Sequence, residues 1–344
     1  MNKFAELSAM LEALCGAKGV SGAENEAAAV ASQMLGKYMP VSVDALGSVT
    51  GRKQGAGTHI LLDAHLDQIG LIVTAVDADG FLKFAKCGGA DRRVLAAAEV
   101  TVHGKEEIFG VITSTPPHLA KPDEASKALP FDEMAVDIGL TKEEAEKLVS
   151  PGDRITFNGG YLKLLGSRVS SPSIDDRAGV AAVLRCLEIL EEKGVDCNLS
   201  VMFSSQEETG GSGAQAAAFN AQADEAVAVD VSFASAPSVS DEKYASLGKG
   251  TMIGFAPSLD YKMSKTLENI AKSKNIPYQP EVMGGKTGTN CDEIQVSGKG
   301  IKTALLSVPL RNMHTACEVC DLEDIENTAR LMAGYIAERS AKNA

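Results

Sequence analysis

DDRAGVAAVLRCLEILEEKGVDCNLSVMFSSQEETGGSGAQAAAFNAQADEAVAVDV, residues 175–231, reads as a long helix, a strand, a second helix and another strand. Working outward, THILLDAH (58–65) upstream is a short apolar run of buried-strand type. Downstream, SKTLENIAKSKN (264–275) is a helix and KTALLSVP (302–309) a strand. DLEDIENTARLMAGYIAE (321–338) is a closing helix with Ile325, Leu331, Met332, Tyr335 and Ile336 facing inward. Alternation of this kind predicts an α/β fold, a mainly parallel sheet covered by helices. At the N-terminus a helix is expected over about 4–14, on the face made by Phe4, Leu7, Met10, Leu11 and Leu14. Ser21 and Glu24 have capping-box spacing and open an Ala-rich helix to about Tyr38; two strands follow around Gly47.

Residues 68–160 have a different texture. Short β-like runs (GLIVTAV, GFLKFA, EVTVHG, IFGVITS) alternate with turns and with the loop TPPHLAKPDEASKALPFDE. T-K-E-E from Thr141 is a further capping box, and the helix it opens ends at PGD. This stretch is a mostly-β module inserted into the α/β domain, which is left with 1–67 and 161–344.

The 344 residues are 44% hydrophobic, enough for a sizeable buried core. A net charge of -13 argues against nucleic acid or anionic membrane as the main partner, because binding phosphate needs a basic face. No stretch approaches the roughly 18 apolar residues of a membrane span, and the first residues carry Glu6 and Glu12 where a signal peptide would be apolar. Seven scattered cysteines, an odd number, argue for reduced thiols and a cytoplasmic setting. Cys317 and Cys320 form one C-x-x-C, which cannot close a tetrahedral zinc site alone and is read as structural.

Ligands of open α/β sheets bind beyond the carboxyl ends of the strands. His65 and Asp67 follow one strand, Glu207 and Glu208 another; Asp230 ends a third, His314 follows a fourth, and Asp175 and Asp176 precede the long helix. Singly, each has an ordinary explanation: an H-x-D on the surface, a D-D that caps a helix, an E-E in a solvated loop, a histidine satisfied in the core. Together they would crowd negative charge at one rim, which is unfavourable unless cations lie between them. Two divalent ions held by imidazole and carboxylate, one carboxylate bridging, resolve the crowding. In an extended segment neighbouring side chains diverge, so one of Glu207 and Glu208 can ligate while the other reaches the attacking water. Asp67 is placed to hydrogen-bond the other nitrogen of His65.

AHLDQIG (64–70), IDDRAGVAAVL (174–184), QEETGGSGA (206–214), VAVDV (227–231) and PLRNMHTACEV (309–319) resemble, in order, the motifs of the M42 aminopeptidases. GGADRRVL (88–95) and STPPHLAKP (114–122) are similar to that family's inserted β domain. The resemblance implies a phosphorylase/hydrolase-like catalytic domain with a PDZ-like dimerisation domain at 68–160. It implies His65 and His314 as ligands of different ions, Asp175 as the bridge, and Glu208 and Asp230 as the remaining ligands, with Glu207 as general base. It also implies zinc or cobalt as the metal and short peptides as substrates. A cytosolic homododecamer built from dimers is the implied assembly.

Two other chemistries compete. Glycoside hydrolysis needs two carboxylates facing across a bond, and a chain without Trp and with 5% aromatics is poor in sugar-stacking surfaces. An N-acyl amino acid amidohydrolase would use the same dinuclear site, and blocked against free peptides would tell the two apart. A catalytically dead metal-binding scaffold is disfavoured by the presence of Glu207.

Overall fold

A computed structural model describes residues 4–116, 118–119, 127–237 and 244–341. Part of the loop singled out at 115–133 lies outside the described residues. In chain order the strands are β1 (Val41–Val43), β2 (Val49–Lys53), β3 (Ile60–His65), β4 (Gly70–Val76), β5 (Leu82–Cys87), β6 (Glu99–His103), β7 (Glu107–Ile112), β8 (Val136–Asp137), β9 (Arg154–Phe157), β10 (Leu162–Lys163), β11 (Arg168–Ser171), β12 (Leu199–Ser204), β13 (Glu225–Phe233), β14 (Thr251–Phe255), β15 (Tyr278–Val282), β16 (Lys302–Leu310) and β17 (Glu318–Asp321). The helices are α1 (Ala5–Gly16), α2 (Asn25–Leu35), α3 (Lys142–Leu148), α4 (Ile174–Glu192), α5 (Ser212–Ala221), α6 (Tyr261–Ser273), α7 (Cys291–Ile294) and α8 (Leu322–Ala341).

Eight strands form one sheet in the order β1-β2-β12-β3-β13-β16-β14-β15. Its central four, β12, β3, β13 and β16, are parallel, whereas β2 runs antiparallel to β1 and β12, and β14 antiparallel to β16 but parallel to β15. The sheet is therefore mixed around a parallel centre rather than mainly parallel throughout. Both faces are covered, which is why the central strands read as unbroken apolar runs: β3 and β12 are buried at every position. One face carries the core of α1, α4 and α8, with Leu184, Leu306 and Ile336; the other is an alanine-rich layer under α5 and α7, with Ala217, Ala228 and Leu305.

Between β3 and β11 the chain closes six short strands into a barrel, β4-β5-β8-β7-β6-β9, around its own core of Leu71, Val100, Val136 and Ile155. Closure leaves these short strands no open edge, which accounts for so many turns in so few residues. The Thr141 capping box forms, with the Glu144 carboxylate accepting the Thr141 N–H at 3.0 Å. The one expected at Ser21 does not. Helix α2 starts at Asn25, and Glu24 instead turns its carboxylate to the N–H groups of Gly22 (2.7 Å) and Gln206 (3.2 Å), tying the helix entry to the loop after β12. Ser21 pairs with the Thr209 hydroxyl of that loop at 2.7 Å.

Candidate metal centre

The four parallel strands end side by side, so their termini share one rim. His65 is the last residue of β3, Glu207 and Glu208 lie just beyond β12, and His314 lies four residues past β16. Asp230 sits three residues before the end of β13, inside the strand, where it pairs directly with Ser307 of β16. Asp175 and Asp176 have non-helical backbone at the head of α4; the Asp175 carboxylate faces the rim, while that of Asp176 turns back to accept the N–H groups of Gly179 (3.0 Å) and His65 (3.3 Å).

Two groups of donors result: His65, Asp175 and Asp230 in one, and Asp175, Glu208 and His314 in the other. Asp175 belongs to both. Its Oδ1 lies 3.0 Å from Nε2 of His65, and its Oδ2 lies 3.2 Å from Nε2 of His314. The His65 ring is also 3.8 Å from Oδ1 of Asp230, and the His314 ring 3.2 Å from Oε1 of Glu208. Each group thus offers one imidazole nitrogen and two carboxylates, a donor set suited to zinc-like divalent ions. Cys317 is exposed and Cys320 is buried in β17; neither joins a metal-ligating group among the described residues.

Charge supports the same reading. Burial pushes the Asp230 carboxyl well above the ordinary carboxylate range, with Asp176, Glu207 and Asp175 adding to it. Burial likewise raises Glu207 to about 7, helped by Glu208 and Asp67. Burial works against a charged His314, but Asp175 and Glu208 outweigh it and raise the imidazole to about 11. Carboxylates that resist ionisation beside imidazoles that hold their protons describe a pocket short of positive charge.

Several supports were not legible beforehand. Asp67 does reach the other nitrogen of the His65 ring: Nδ1 lies 3.1 Å from the Asp67 carbonyl and 3.5 Å from its carboxylate. A carbonyl can only accept, so Nδ1 carries the proton, and Nε2 is the nitrogen left to face the donor group. The Asp67 carboxylate accepts the N–H groups of Glu207 (2.9 Å) and Glu208 (3.1 Å). The two glutamates are also not extended: they open a turn closed by the Gly210 N–H on the Glu207 carbonyl at 2.9 Å. Glu208 joins one donor group and Glu207 joins neither.

Glu318, in β17, is 1% exposed. Its two oxygens accept the N–H of Asp175 (3.0 Å) and of His314 (2.8 Å), fixing the backbones of two donor-group residues at once. The only hint in the sequence was an acid four residues after His314. The barrel contributes too: Gly88 and Gly89, just past β5, lie against Glu208 and His314.

This sheet, with imidazole–carboxylate groups at its carboxyl rim, defines a metallopeptidase. The model of the M42 glutamyl aminopeptidase family matches residues 47–331, and the chain belongs to that family. It is 33% identical over 306 residues to a lysyl aminopeptidase of Pyrococcus furiosus, with 87% of each chain covered. Its structure is similar to that of an aminopeptidase from the archaeon Desulfurococcus kamchatkensis (TM-score 0.91, 30% identity, 98% and 96% of the chains). It is also similar to the TET1 peptidase of Pyrococcus horikoshii, which can assemble into a tetrahedron or a large octahedral shell (TM-score 0.86, 30% identity, 96% and 99% of the chains). The protein is a metal-dependent aminopeptidase.

Proposed function

We propose that the chain removes N-terminal residues from short peptides with two divalent ions, zinc or cobalt, held at His65, Asp175, Asp230, Glu208 and His314. The carrying observation is Asp175, whose two oxygens face two different imidazoles at 3.0 and 3.2 Å, as a bridging carboxylate would. Bound there, the ions would polarise the scissile carbonyl and lower the pKa of the attacking water. Glu207 takes the water's proton and passes it to the leaving amine. Asp67, by holding the Glu207 and Glu208 N–H groups, fixes how those two carboxylates divide base and ligand work. A rim this acidic favours a free α-amino group over an acylated one, which suits exopeptidase action.

The division into a catalytic domain (1–67 and 161–344) and an inserted domain (68–160) is supported by the barrel's separate core. We assign dimer contacts to that inserted domain and a homododecamer to the assembly, on the strength of the TET1 peptidase likeness. No helix among the described residues is long and apolar enough to cross a membrane, and seven free thiols suit a reducing cytoplasm.

The test is a panel of aminoacyl chromogenic substrates, free and N-acetylated, assayed with added zinc, cobalt or manganese. Cleavage confined to free amines is expected. Comparable rates on acetylated substrates would assign the site to an amidohydrolase.

A further inference from the structure

Glu207 joins neither donor group, so its place depends on the backbone of the turn after β12 rather than on an ion. Gln206, at the head of that turn, has φ 59°, in the left-handed region that residues with side chains seldom adopt. Such a backbone persists only where its surroundings hold it. Within the turn, the Gly210 N–H donates to the Glu207 carbonyl at 2.9 Å and the Gly211 N–H to the Gln206 carbonyl at 2.8 Å.

The rest of the grip comes from outside. Three consecutive N–H groups, those of Gln206, Glu207 and Glu208, all donate to carboxylates. Asp67 takes the second and third. The first goes to Oε1 of Glu24 at 3.2 Å, from a residue 182 positions away in sequence. Glu24 is 5% exposed, and the same oxygen accepts the Gly22 N–H at 2.7 Å, which aims the carboxylate. Ser21, also buried, meets the Thr209 hydroxyl on the far side of the turn at 2.7 Å. The segment that carries both residues is anchored in turn. Ser21 N–H donates to the Gln68 carbonyl (3.2 Å) and Gln68 N–H to the Gly19 carbonyl (2.9 Å), next to Asp67. From the barrel, Arg154 Nε donates to the Ser21 carbonyl at 3.3 Å. Residues 19–24 thus brace Asp67 and the turn together. Entry into α2 calls only for the Gly22 bond; the bond to Gln206 serves the turn.

We propose that Glu24, seconded by Ser21, is a positioning residue for hydrolysis: its hold on the Gln206 N–H fixes the left-handed turn from which Glu207 reaches the attacking water. The proposal rests on the aminopeptidase reading with Glu207 as the base. Glu208, on the same turn, has a second anchor in its donor group, so the loss of Glu24 falls on the base and not on the ligand.

The experiment is a mutant cycle of wild type, Glu24→Ala, Glu207→Gln and the double variant on a free aminoacyl p-nitroanilide, with bound metal counted in each. Glu24→Ala should lower kcat about tenfold to a hundredfold, the effect of misplacing a catalytic group by about an ångström, with KM and bound metal as in wild type. In the Glu207→Gln background the same change should cost little, because the group it misplaces is already idle. Glu24→Gln keeps Oε1 as an acceptor and should recover most of kcat. In metal-free protein, the Gly210 and Gly211 amides should exchange with solvent faster in Glu24→Ala than in wild type. An equal loss in both backgrounds, metal lost in step with activity, or unchanged exchange overturns the proposal. If Glu24→Ala does not fold, Ser21→Ala cuts the second tie to the same turn and is read by the same cycle: a loss only where Glu207 is present supports the clamp, and a loss in both backgrounds or in neither overturns it. An active wild type that loses kcat in Glu207→Gln but not in Glu24→Ala sinks the role of Glu24 alone. A wild type that turns over no free aminoacyl substrate sinks the aminopeptidase reading and the proposal with it.

Discussion

Gly89 leaves room for His314: a Cβ built on Gly89 would fall 2.3 Å from Nδ1 and 2.6 Å from Cε1 of the imidazole. The contact joins the barrel to the metal rim, because Gly89 follows β5 and His314 follows β16. Gly89→Ala must displace the ring from Asp175 and Glu208. Affinity for one ion should fall about tenfold to a hundredfold, the usual effect of misplacing a ligand's support, with little change in Tm of the metal-free protein. Isothermal titration of chelated protein checks this; unchanged affinity at both sites would show that the ring shifts without consequence.

Glu318 holds the backbones of Asp175 and His314, both proposed ligands, so its removal should act on metal binding before stability. Glu318→Ala leaves the N–H groups of Asp175 and His314 unpartnered in a buried place, and metal affinity should drop by one to two orders of magnitude. Glu318→Gln keeps one acceptor and should recover part of the loss. Metal content after dialysis against a weak chelator separates the variants. Equal retention in all three would remove Glu318 from the account.

Asp324 offers a pH test away from the metals. It is fully buried in the first turn of α8 and accepts the N–H groups of Gly248 and Gly250, both at 2.7 Å. Burial nevertheless pushes its carboxyl up to about 7. The unfolded chain releases this proton near pH 4. Between about pH 4 and 7 the folded state holds a proton the unfolded state has lost, so stability falls as pH rises. The contribution is complete below about pH 4 and gone above about pH 7. Melting of chelator-treated wild type and Asp324→Asn across this range should give a wild-type advantage that shrinks as pH rises. A difference that stays constant would contradict the buried, protonated Asp324.

That the donor-group residues gather at one rim was legible because they mark the ends of apolar runs. His65, Asp230 and His314 stand in or after strands whose burial on both faces shows as unbroken hydrophobicity, and Asp175 heads a helix long enough to be unmistakable. What escaped reading was tertiary. Asp67 and Glu318 act on backbone N–H groups distant in sequence, and no spacing encodes such a partner. Glu24 has capping-box spacing, yet its carboxylate is taken by Gly22 and Gln206 once the loop after β12 packs beside it. Strands β14 and β15 were missed because each has only five residues and β15 contains Pro280, tolerable because β15 is the sheet's edge strand. Those two strands and the β1–β2 hairpin make the sheet mixed.

Glu207 and Glu208 are neighbours of one residue type, so any difference between them comes from placement. Glu207→Gln cannot accept a proton and should lose about 10²–10⁴ in kcat while keeping its metals. Glu208→Ala should lose occupancy at the ion beside His314. Elemental analysis with single-turnover kinetics checks both. The opposite pattern would exchange the roles of the two residues.

The central claim is that Asp175 bridges two ions and that turnover depends on them. The direct measurement is activity on a free aminoacyl substrate, recorded while chelated protein is titrated with zinc or cobalt and bound metal is counted per subunit. No turnover without metal, and full activity only as binding reaches two ions per subunit, one for each donor group, is the expected course. Full turnover in protein shown by elemental analysis to be metal-free would contradict the claim outright, and saturation at one ion would remove the bridge.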